Sequence, residues 1–385
     1  MDRVDALRNY VGNGVYATKL TQPERGLWKT HHEATFADYA TMKAGDNVYF
    51  FIERKIYGIG ELVNLAGQDC KFSNYPRASE PVPYPHSGNE ILLWDEGVHS
   101  VNQRWICTFV PAPHFFVSGM DMDDVLASDP AAFRMLRALW KVSFIKFDDE
   151  ENQAFKNVLL KYNESVLSHP QPGATVFSNN SIACHSQITA KLQKDDYRLE
   201  ASPFLHSCHE GDYIRHEMAI EAAFLYQLAN THKATTEIFG EWDYVSHQVI
   251  ASPFKPIDYM DKIDVFGYAY IPNHRPTKSR YLIAELKKDG ANVEDVEQAM
   301  KYVDWVREEY CHNDYSMIQA YLVCHSFPDK VIEAQRRTAK RQYTMGRRPI
   351  RSLEWANLKL VQYRYNTAER LLEFQLVCRP MQCFI

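Results

Sequence analysis

Two short apolar segments joined by a turn-rich loop constrain the fold of the C-terminal half of this chain. Residues 262–270 and 281–287 have the length and the β-branched and aromatic content of strands, and residues 272–276 form a loop with a proline at each end. A helical pattern over 293–310 and an apolar segment over 317–323 follow. Strand, strand, helix and strand in this order predict a sheet covered by helices.

Three charged residues interrupt these apolar strands. Asp264 lies among Ile, Val and Phe residues, and Glu285 and Lys287 follow the apolar start of the second strand. Because side chains alternate faces along a strand, Glu285 and Lys287 share one face while Leu286 points into the core. Charges in such positions are costly unless a functional site uses them.

The two carboxylates suggest a cation site. Aspartate and glutamate on neighbouring strands can hold a divalent ion such as Mg²⁺ through oxygen ligands. Such an ion stabilises charge on a phosphate and lowers the pKa of a bound water. Lys287 would then orient or deprotonate that water, or stabilise the pentacovalent phosphorus, and the sequence leaves these roles open.

Two helical segments flank the strands with polar side chains. On the helix that begins at Asn292 or Val293, the valines form an apolar stripe, and Gln298 and Tyr302 lie on the opposite side. The earlier helix, predicted from Ile214 to Ala229, carries Glu217 and Glu221 on one face. Both helices can therefore direct polar groups towards a cleft.

Asp264 followed after twenty residues by Glu285-Leu286-Lys287 resembles the PD-(D/E)XK nuclease superfamily. Gln298 and Tyr302 are similar to the Q-x-x-x-Y motif of its RecB-like branch, and the acidic helix is similar to its first motif. The resemblance covers about residues 212–330. It implies a restriction-endonuclease-like α/β sheet.

The resemblance also implies roles for individual residues. Asp264, Glu285 and the Leu286 carbonyl would bind Mg²⁺ or Mn²⁺, and Lys287 would assist the attacking water. Gln298 and Glu221 would support the site, with Glu221 preferred over Glu217. Asp264 is preferred over Asp258 and Asp261 because it lies inside the strand.

The N-terminal stretch contains short strand-like segments, including a hairpin signal over 47–63. From about residue 45 to residue 147 it resembles PUA-like modules of the EVE type, which implies a small β-barrel with helices. Such modules hold RNA or a flipped base between aromatic side chains. The candidate base-pocket residues are Trp28, Tyr57, Trp94 and Trp105.

The length of 385 residues favours two domains. Turn-rich sequence begins near 167, so the sequence predicts an α+β protein with a reader domain over 1–166, a linker over 167–210 and a nuclease domain over 211–385.

Residues 330–351 carry eight positive charges and one negative charge, although the whole chain has a net charge of −6. Phosphate contact is a use for such a segment. With Tyr302, the expected nucleic-acid contacts are Arg336, Arg337, Lys340, Arg341, Arg347 and Arg348.

Other classes are disfavoured by the sequence. No apolar segment is long enough for a membrane span, and the eight cysteines lack paired spacing, which predicts reduced thiols in a cytoplasmic protein. The four adjacent Cys-His pairs lack the C-x-x-C spacing of structural zinc sites, so no zinc is expected.

These patterns together predict a magnesium-dependent DNA endonuclease that a base-reading domain recruits, as in modification-dependent restriction and antiphage defence. Because restriction-type cleavage needs two active sites, a homodimer is expected. Two alternatives stay open: a ribonuclease or nucleotide-activated defence nuclease, and a non-catalytic nucleic-acid-binding protein.

Overall fold

The computed structural model describes residues 4–19, 28–73, 104–134, 144–168, 179–252, 261–346 and 348–377. Contacts divide the chain into two compact units, each a mixture of helices and sheets. The first unit holds residues 1–27 and 42–203, and the second holds residues 28–41 and 204–385. The second unit thus takes residues 28–41 from within the predicted reader domain.

The helices are given in chain order. They are α1 (Val4–Asn13), α2 (Thr30–Ala40), α3 (Met122–Ser128), α4 (Asp149–Tyr162), α5 (Glu164–Ser168), α6 (Asn179–Leu192), α7 (Ser202–Cys208), α8 (Glu217–Ala229), α9 (Lys233–Phe239), α10 (Val293–Glu309) and α11 (Asp329–Thr338). Among the described residues, no helix is long and apolar enough to span a membrane.

The strands of the first unit are β1 (Val15–Lys19), β2 (Asn47–Ile52), β3 (Lys55–Leu62), β4 (Lys71–Ser73) and β5 (Arg104–Asp121). They form an antiparallel sheet in the order β1-β5-β3-β2, and β4 also pairs with β5. The predicted hairpin is present, with Glu53 and Arg54 at positive φ in its two-residue turn. Among the described strands, β1 and β2 end the path, so the predicted barrel does not close within them.

The predicted linker over 167–210 contains helices instead. Residues Ile188 and Leu192 of α6 pack with Val15, Phe72 and Ile106 in the core of the first unit. The polar composition of this stretch suggested a loop, but the apolar face of α6 is what anchors it. Residues 169–178 lie outside the described residues.

The remaining strands belong to the second unit. They are β6 (His209–Glu210), β7 (Tyr213–Ile214), β8 (Tyr244–Ile250), β9 (Lys262–Tyr270), β10 (Lys278–Leu286), β11 (Ile318–Cys324), β12 (Arg341–Met345), β13 (Arg351–Trp355), β14 (Leu358–Asn366) and β15 (Leu371–Leu376).

A six-stranded mixed sheet organises this unit. Its order is β15-β14-β11-β10-β9-β8. Strand β11 runs parallel to both β10 and β14, and the other neighbours are antiparallel. Parallel central strands are buried on both faces, which explains the continuous apolar sequences of β10 and β11. Strand β9 has the predicted bounds, and β10 begins three residues before the predicted strand.

Helix α10 covers one face of this sheet. The Tyr281 hydroxyl donates to the Tyr310 carbonyl at 3.2 Å, and the Phe266 ring lies 5.1 Å from the Tyr310 ring. The helix begins with a capping box, in which the Asn292 side chain accepts from the Asp295 amide and the Asp295 carboxylate accepts from the Asn292 amide. Two of the helix's unpaired amide groups are thereby satisfied.

We expect Asn292→Ala to lower the stability of the second unit by about 1 kcal/mol, because the capping hydrogen bond is lost. For a unit of this size that corresponds to a fall in Tm of about 2–4 °C, measured by differential scanning calorimetry. Asn292→Ser retains a capping oxygen and should have a Tm near that of the wild type. Equal losses in the two variants would contradict this account of the cap.

Candidate active site

The antiparallel pairing of β9 with β10 brings the predicted acidic residues together. Ala284 pairs with Val265, so the next positions along the ladder, Glu285 and Asp264, lie opposite each other and share the face covered by α10. The Asp264 Oδ2 atom accepts a hydrogen bond of 2.8 Å from the Leu286 amide. This bond fixes the aspartate beside the end of β10.

Glu285 is the most deeply buried charged group of the cluster, with 1% of its surface exposed. Its Oε1 atom accepts from the Lys287 ammonium, while its Oε2 atom is buried without a hydrogen-bond partner among the described residues. Burial raises the pKa of Glu285 to about 7, although the Lys287 charge opposes this shift. A buried carboxylate oxygen in this state has unused capacity to accept a hydrogen bond or bind a cation.

The charges of the cluster act on one another. Burial, followed by the negative charges of Glu285 and Glu221, raises the pKa of Asp264 well above its usual value. Burial disfavours the charged form of Lys287, but the Glu285 carboxylate outweighs it and raises the pKa of the lysine. Lys287 is therefore an ammonium ion at neutral pH in this arrangement, which favours a role as a charged donor over a role as a base.

Gln248 on β8 connects two of the acidic residues. Its Nε2 atom donates to Glu221 at 3.0 Å and to Asp264 at 3.2 Å. The residue has a φ of 52° and lies between the pairs His247–Val265 and Val249–Ile263, opposite Asp264 in a continuous register. A non-glycine residue at positive φ is strained, and such strain is often found where a side chain must be aimed precisely.

His247 extends the network to a helix distant in sequence. Its Nδ1 atom lies 2.9 Å from Glu221 and its Nε2 atom lies 3.1 Å from Asp38 on α2. Burial opposes protonation, but the hydrogen bonds to Asp38 and Glu221 outweigh it and raise the pKa of His247 to about 10. The imidazolium therefore balances these two carboxylates at neutral pH.

Glu221 and Glu217 differ in their contacts with this network. Glu221 is buried and accepts from both His247 and Gln248, whereas Glu217 accepts only a 3.3 Å hydrogen bond from the Lys288 amide among the described contacts. Of the rejected alternatives to Asp264, Asp261 pairs with Lys301 at 2.6 Å, and Asp258 lies outside the described residues.

The structure alters the expectation for Tyr302. Gln298 donates to the Tyr302 hydroxyl at 2.7 Å, as their spacing on α10 allows. The Tyr302 side chain is buried, so its ring offers no surface to a nucleic acid. Burial and the nearby Glu285 charge raise the pKa of Tyr302, which places its hydroxyl beside the acidic cluster as a neutral group.

The predicted basic contacts divide into two groups. Arg341 binds Asp304 of α10 through two hydrogen bonds of 2.8 and 2.7 Å, so its guanidinium fixes the β12–β13 hairpin and is not available for phosphate. Lys340 lies 3.9 Å from Glu354. Arg337 and Arg348 are exposed and Arg336 is half-buried, while Arg347 lies outside the described residues.

The N-terminal aromatic candidates do not form an open pocket among the described residues. Trp28 belongs to the second unit, where its ring contacts the rings of His32 and Phe204. Tyr57 and Trp105 are buried in the first unit. Gly119 lies so close to the Tyr57 ring that a Cβ at this glycine would be 2.5 Å from the ring, which leaves no space for a base there. Trp94 lies outside the described residues.

Sequence reasoning missed Asp38, His247 and Gln248. The segment Tyr244–Ile250 was not predicted as a strand, since it mixes polar and apolar residues at the edge of the sheet. The positive φ of Gln248 leaves no signal in a single sequence. Asp38 lies 209 residues from its partner His247 along the chain.

The residues present fit a divalent cation. Asp264 and Glu285 supply hard oxygen donors, one of which is buried and without a partner, and their mutual repulsion is relieved by a positive ion. Lys287 and the Leu286 amide neutralise only part of the negative charge.

No protein-family model matches this chain, and no curated protein matches it. Among solved structures, the crystal structure of a repair endonuclease from Pyrococcus abyssi is similar with a TM-score of 0.20 and 21% sequence identity. The similarity covers 29% of this chain and 42% of that chain, so it spans less than half of the solved protein. A TM-score this low carries no argument about function.

We expect the stability of the wild type to fall more steeply between pH 7 and pH 10 than that of His247→Gln. Because the pKa of folded His247 is raised above the unfolded value of about 6.5, its protonated form stabilises the fold below pH 6.5, and this contribution is lost as the pH rises towards 10. The difference should exceed about 1 kcal/mol in denaturant titrations at the two pH values.

His274→Gln serves as the matched control, since His274 is exposed and lies in a surface loop of the same unit. Parallel pH profiles for the wild type and His247→Gln would show that this histidine is not the charged link between Asp38 and Glu221.

Proposed function

We propose that this chain is a metal-dependent phosphodiester hydrolase, a nuclease whose active site lies at the start of β9 and the end of β10. The observation that carries the proposal is the convergence of Asp264, Glu285 and Lys287, which the strand pairing brings together from two segments. Two buried acids beside a lysine have little structural benefit, because their repulsion destabilises the fold. Such an arrangement is typical of a functional site.

Asp264, Glu285 and the Leu286 carbonyl would hold Mg²⁺ or Mn²⁺, with water molecules as further ligands. When bound, the ion supplies positive charge to the phosphate and lowers the pKa of a water ligand. The protein residues keep this site in place. Gln248 and the Leu286 amide fix both oxygens of Asp264, at 3.2 and 2.8 Å.

Lys287 would act on the substrate as a cation. Its ammonium already lies against Glu285, and 24% of its side chain is exposed, so it can also reach a phosphate oxygen or the attacking water. Because its pKa is raised, it donates hydrogen bonds and stabilises negative charge in the transition state. Gln298 and Tyr302, which are hydrogen-bonded to each other, would line the site with uncharged polar groups.

We further propose DNA as the substrate, a base-reading role for the first unit and assembly as a homodimer. The support for these is the sequence resemblance to PD-(D/E)XK and EVE-like proteins. Since Tyr57 and Trp105 are buried, such a reader would have to use other side chains of the first unit. RNA is the alternative substrate, and a substrate panel distinguishes the two.

The tip of the β12–β13 hairpin is the proposed phosphate-binding surface. Arg348 and Arg351 are exposed there, and the hairpin is attached through Arg341 and Asp304 to the helix that carries Gln298. A two-stranded ribbon with basic side chains fits a nucleic-acid groove.

We expect Lys287→Ala, Asp264→Asn and Glu285→Gln each to reduce cleavage by at least about 100-fold, because each removes a group that binds the ion or stabilises the transition state. Cleavage is measured on methylated plasmid, unmethylated plasmid and RNA with Mg²⁺, and should stop in the presence of EDTA. Circular dichroism and Tm check that each variant is folded.

Lys288→Ala is the matched control, because Lys288 is the adjacent lysine, its side chain is 42% exposed and it lies 3.9 Å from Asp289. It should cleave like the wild type. Absence of cleavage on every substrate, or cleavage that persists without a divalent ion, would refute the nuclease proposal. Cleavage of RNA alone would refute the choice of DNA.

We expect the double variant Arg348→Ala/Arg351→Ala to bind DNA more weakly and with a salt slope smaller by about 1.8, since two phosphate contacts are removed. Binding is measured by fluorescence anisotropy at several salt concentrations, with Mg²⁺ replaced by Ca²⁺ to limit cleavage. The variant Arg198→Ala/Lys233→Ala removes the same charge from exposed positions elsewhere and should keep the wild-type slope. Equal slopes in both double variants would exclude the hairpin as the binding surface.

A further inference from the structure

A second cluster of possible metal ligands lies in the second unit, apart from the carboxylates of β9 and β10. Glu33 of α2, Cys208 at the end of α7 and His216 at the start of α8 place their donor atoms within 4.8 Å of one another. Within the part of the chain that the structure describes, they are the one set of three acidic, histidine or cysteine residues with this property.

Glu33 shows why this cluster is more than chance proximity. The residue is completely buried, at 0% exposure. Its Oε1 atom lies 2.7 Å from the His216 Nδ1 atom, but its Oε2 atom has no hydrogen-bond partner among the described residues. A buried carboxylate oxygen without a partner is unfavourable, so it needs either a bound cation or a proton.

The chemistry of the three ligands selects the cation. A thiolate, an imidazole and a carboxylate form the mixed nitrogen, sulfur and oxygen set that zinc accepts, whereas Mg²⁺ and Ca²⁺ prefer oxygen ligands alone. Cys208 is buried, and 32% of the His216 side chain is exposed, which leaves a route for the ion and for a water ligand.

We propose that Glu33, Cys208 and His216 bind a zinc ion, with a water molecule as the fourth ligand. In this site Cys208 is joined by His216 and not by the adjacent His209, so the sequence argument against zinc, which considered adjacent Cys-His pairs, does not apply to it. The third ligand comes from a helix about 180 residues earlier in the sequence, which no spacing rule would have identified.

Such a site would tie together the two helices that support the candidate active site. Helix α2 carries both Glu33 and Asp38, and α8 begins immediately after His216 and carries Glu221. Asp38 and Glu221 hold His247 from its two sides. The zinc proposal does not depend on the nuclease proposal, because metal content is measured without a substrate.

The test uses the full chain, purified without chelator, and measures its zinc content by inductively coupled plasma mass spectrometry. We expect about one zinc ion per chain in the wild type. Cys208→Ala and His216→Ala should bind zinc at least about 100-fold more weakly, since loss of even an outer partner of a ligand costs up to that much. Cys311→Ala, which removes another buried thiol of the same unit, should keep the zinc.

Cobalt provides a second, spectroscopic readout, and its wild-type measurement does not depend on the folding of a variant. Reconstitution of the chelated wild-type protein with Co²⁺ should produce thiolate-to-cobalt charge-transfer absorption, which Cys311→Ala retains and Cys208→Ala lacks. Chelation should also lower the Tm of the wild type.

Three results would overturn the proposal: a wild-type protein that takes up neither zinc nor cobalt, cobalt binding without the thiolate band, or zinc retained in Cys208→Ala. In the first case the Glu33 oxygen holds a proton, which is consistent with burial raising the pKa of Glu33. Zinc lost from Glu285→Gln but not from Cys208→Ala would assign the ion to the other site.

Discussion

Negative charge buried at the junction of β8, β9, β10 and α8 is the constraint on which the second unit depends. Glu285 and Glu221 repel Asp264, and burial makes Asp264 and Glu285 harder to ionise. Three elements compensate for this repulsion: the Lys287 ammonium, the His247 imidazolium and the Gln248 amide. The order and register of the strands must therefore bring these three groups next to the buried carboxylates.

The compensation is incomplete, and the missing hydrogen bond is at Glu285 and not at Glu221. On the Glu221 side every carboxylate oxygen has a donor, from His247 or Gln248. On the Glu285 side one oxygen has none among the described residues. An enzyme that stabilises a developing charge needs such an unsatisfied site, because a fully satisfied network would gain nothing from binding an ion or a phosphate.

Sequence reasoning predicted the parts of this site that local patterns encode. The alternation of side chains placed Glu285 and Lys287 on one face of β10, and the apolar period of α10 placed Gln298 off the core. It could not predict the backbone conformation of Gln248, because an unusual φ has no compositional signature. It also failed for Tyr302, since a helix face away from the valine stripe can still be covered by other elements.

A larger difference between the sequence patterns and the structure concerns residues 28–41, which contacts place in the second unit. Their polar and aromatic composition resembles that of their neighbours, and nothing local indicates that α2 packs with α8 in the second unit. Histidines 216 and 247 each find an acidic partner on this one helix, at Glu33 and Asp38. Only long-range pairing determines such contacts, and a single chain without aligned relatives does not reveal long-range pairing.

The second unit is consequently discontinuous in the chain. Residues 28–41 are separated from residues 204–385 by the whole of 42–203. During synthesis α2 leaves the ribosome long before the strands of its own unit. Its apolar face, with Phe36 and Ala37, stays unpaired until α8 has been made. Any fragment that starts at residue 204 would leave His216 without Glu33 and His247 without Asp38, so this unit cannot be isolated by a single cut.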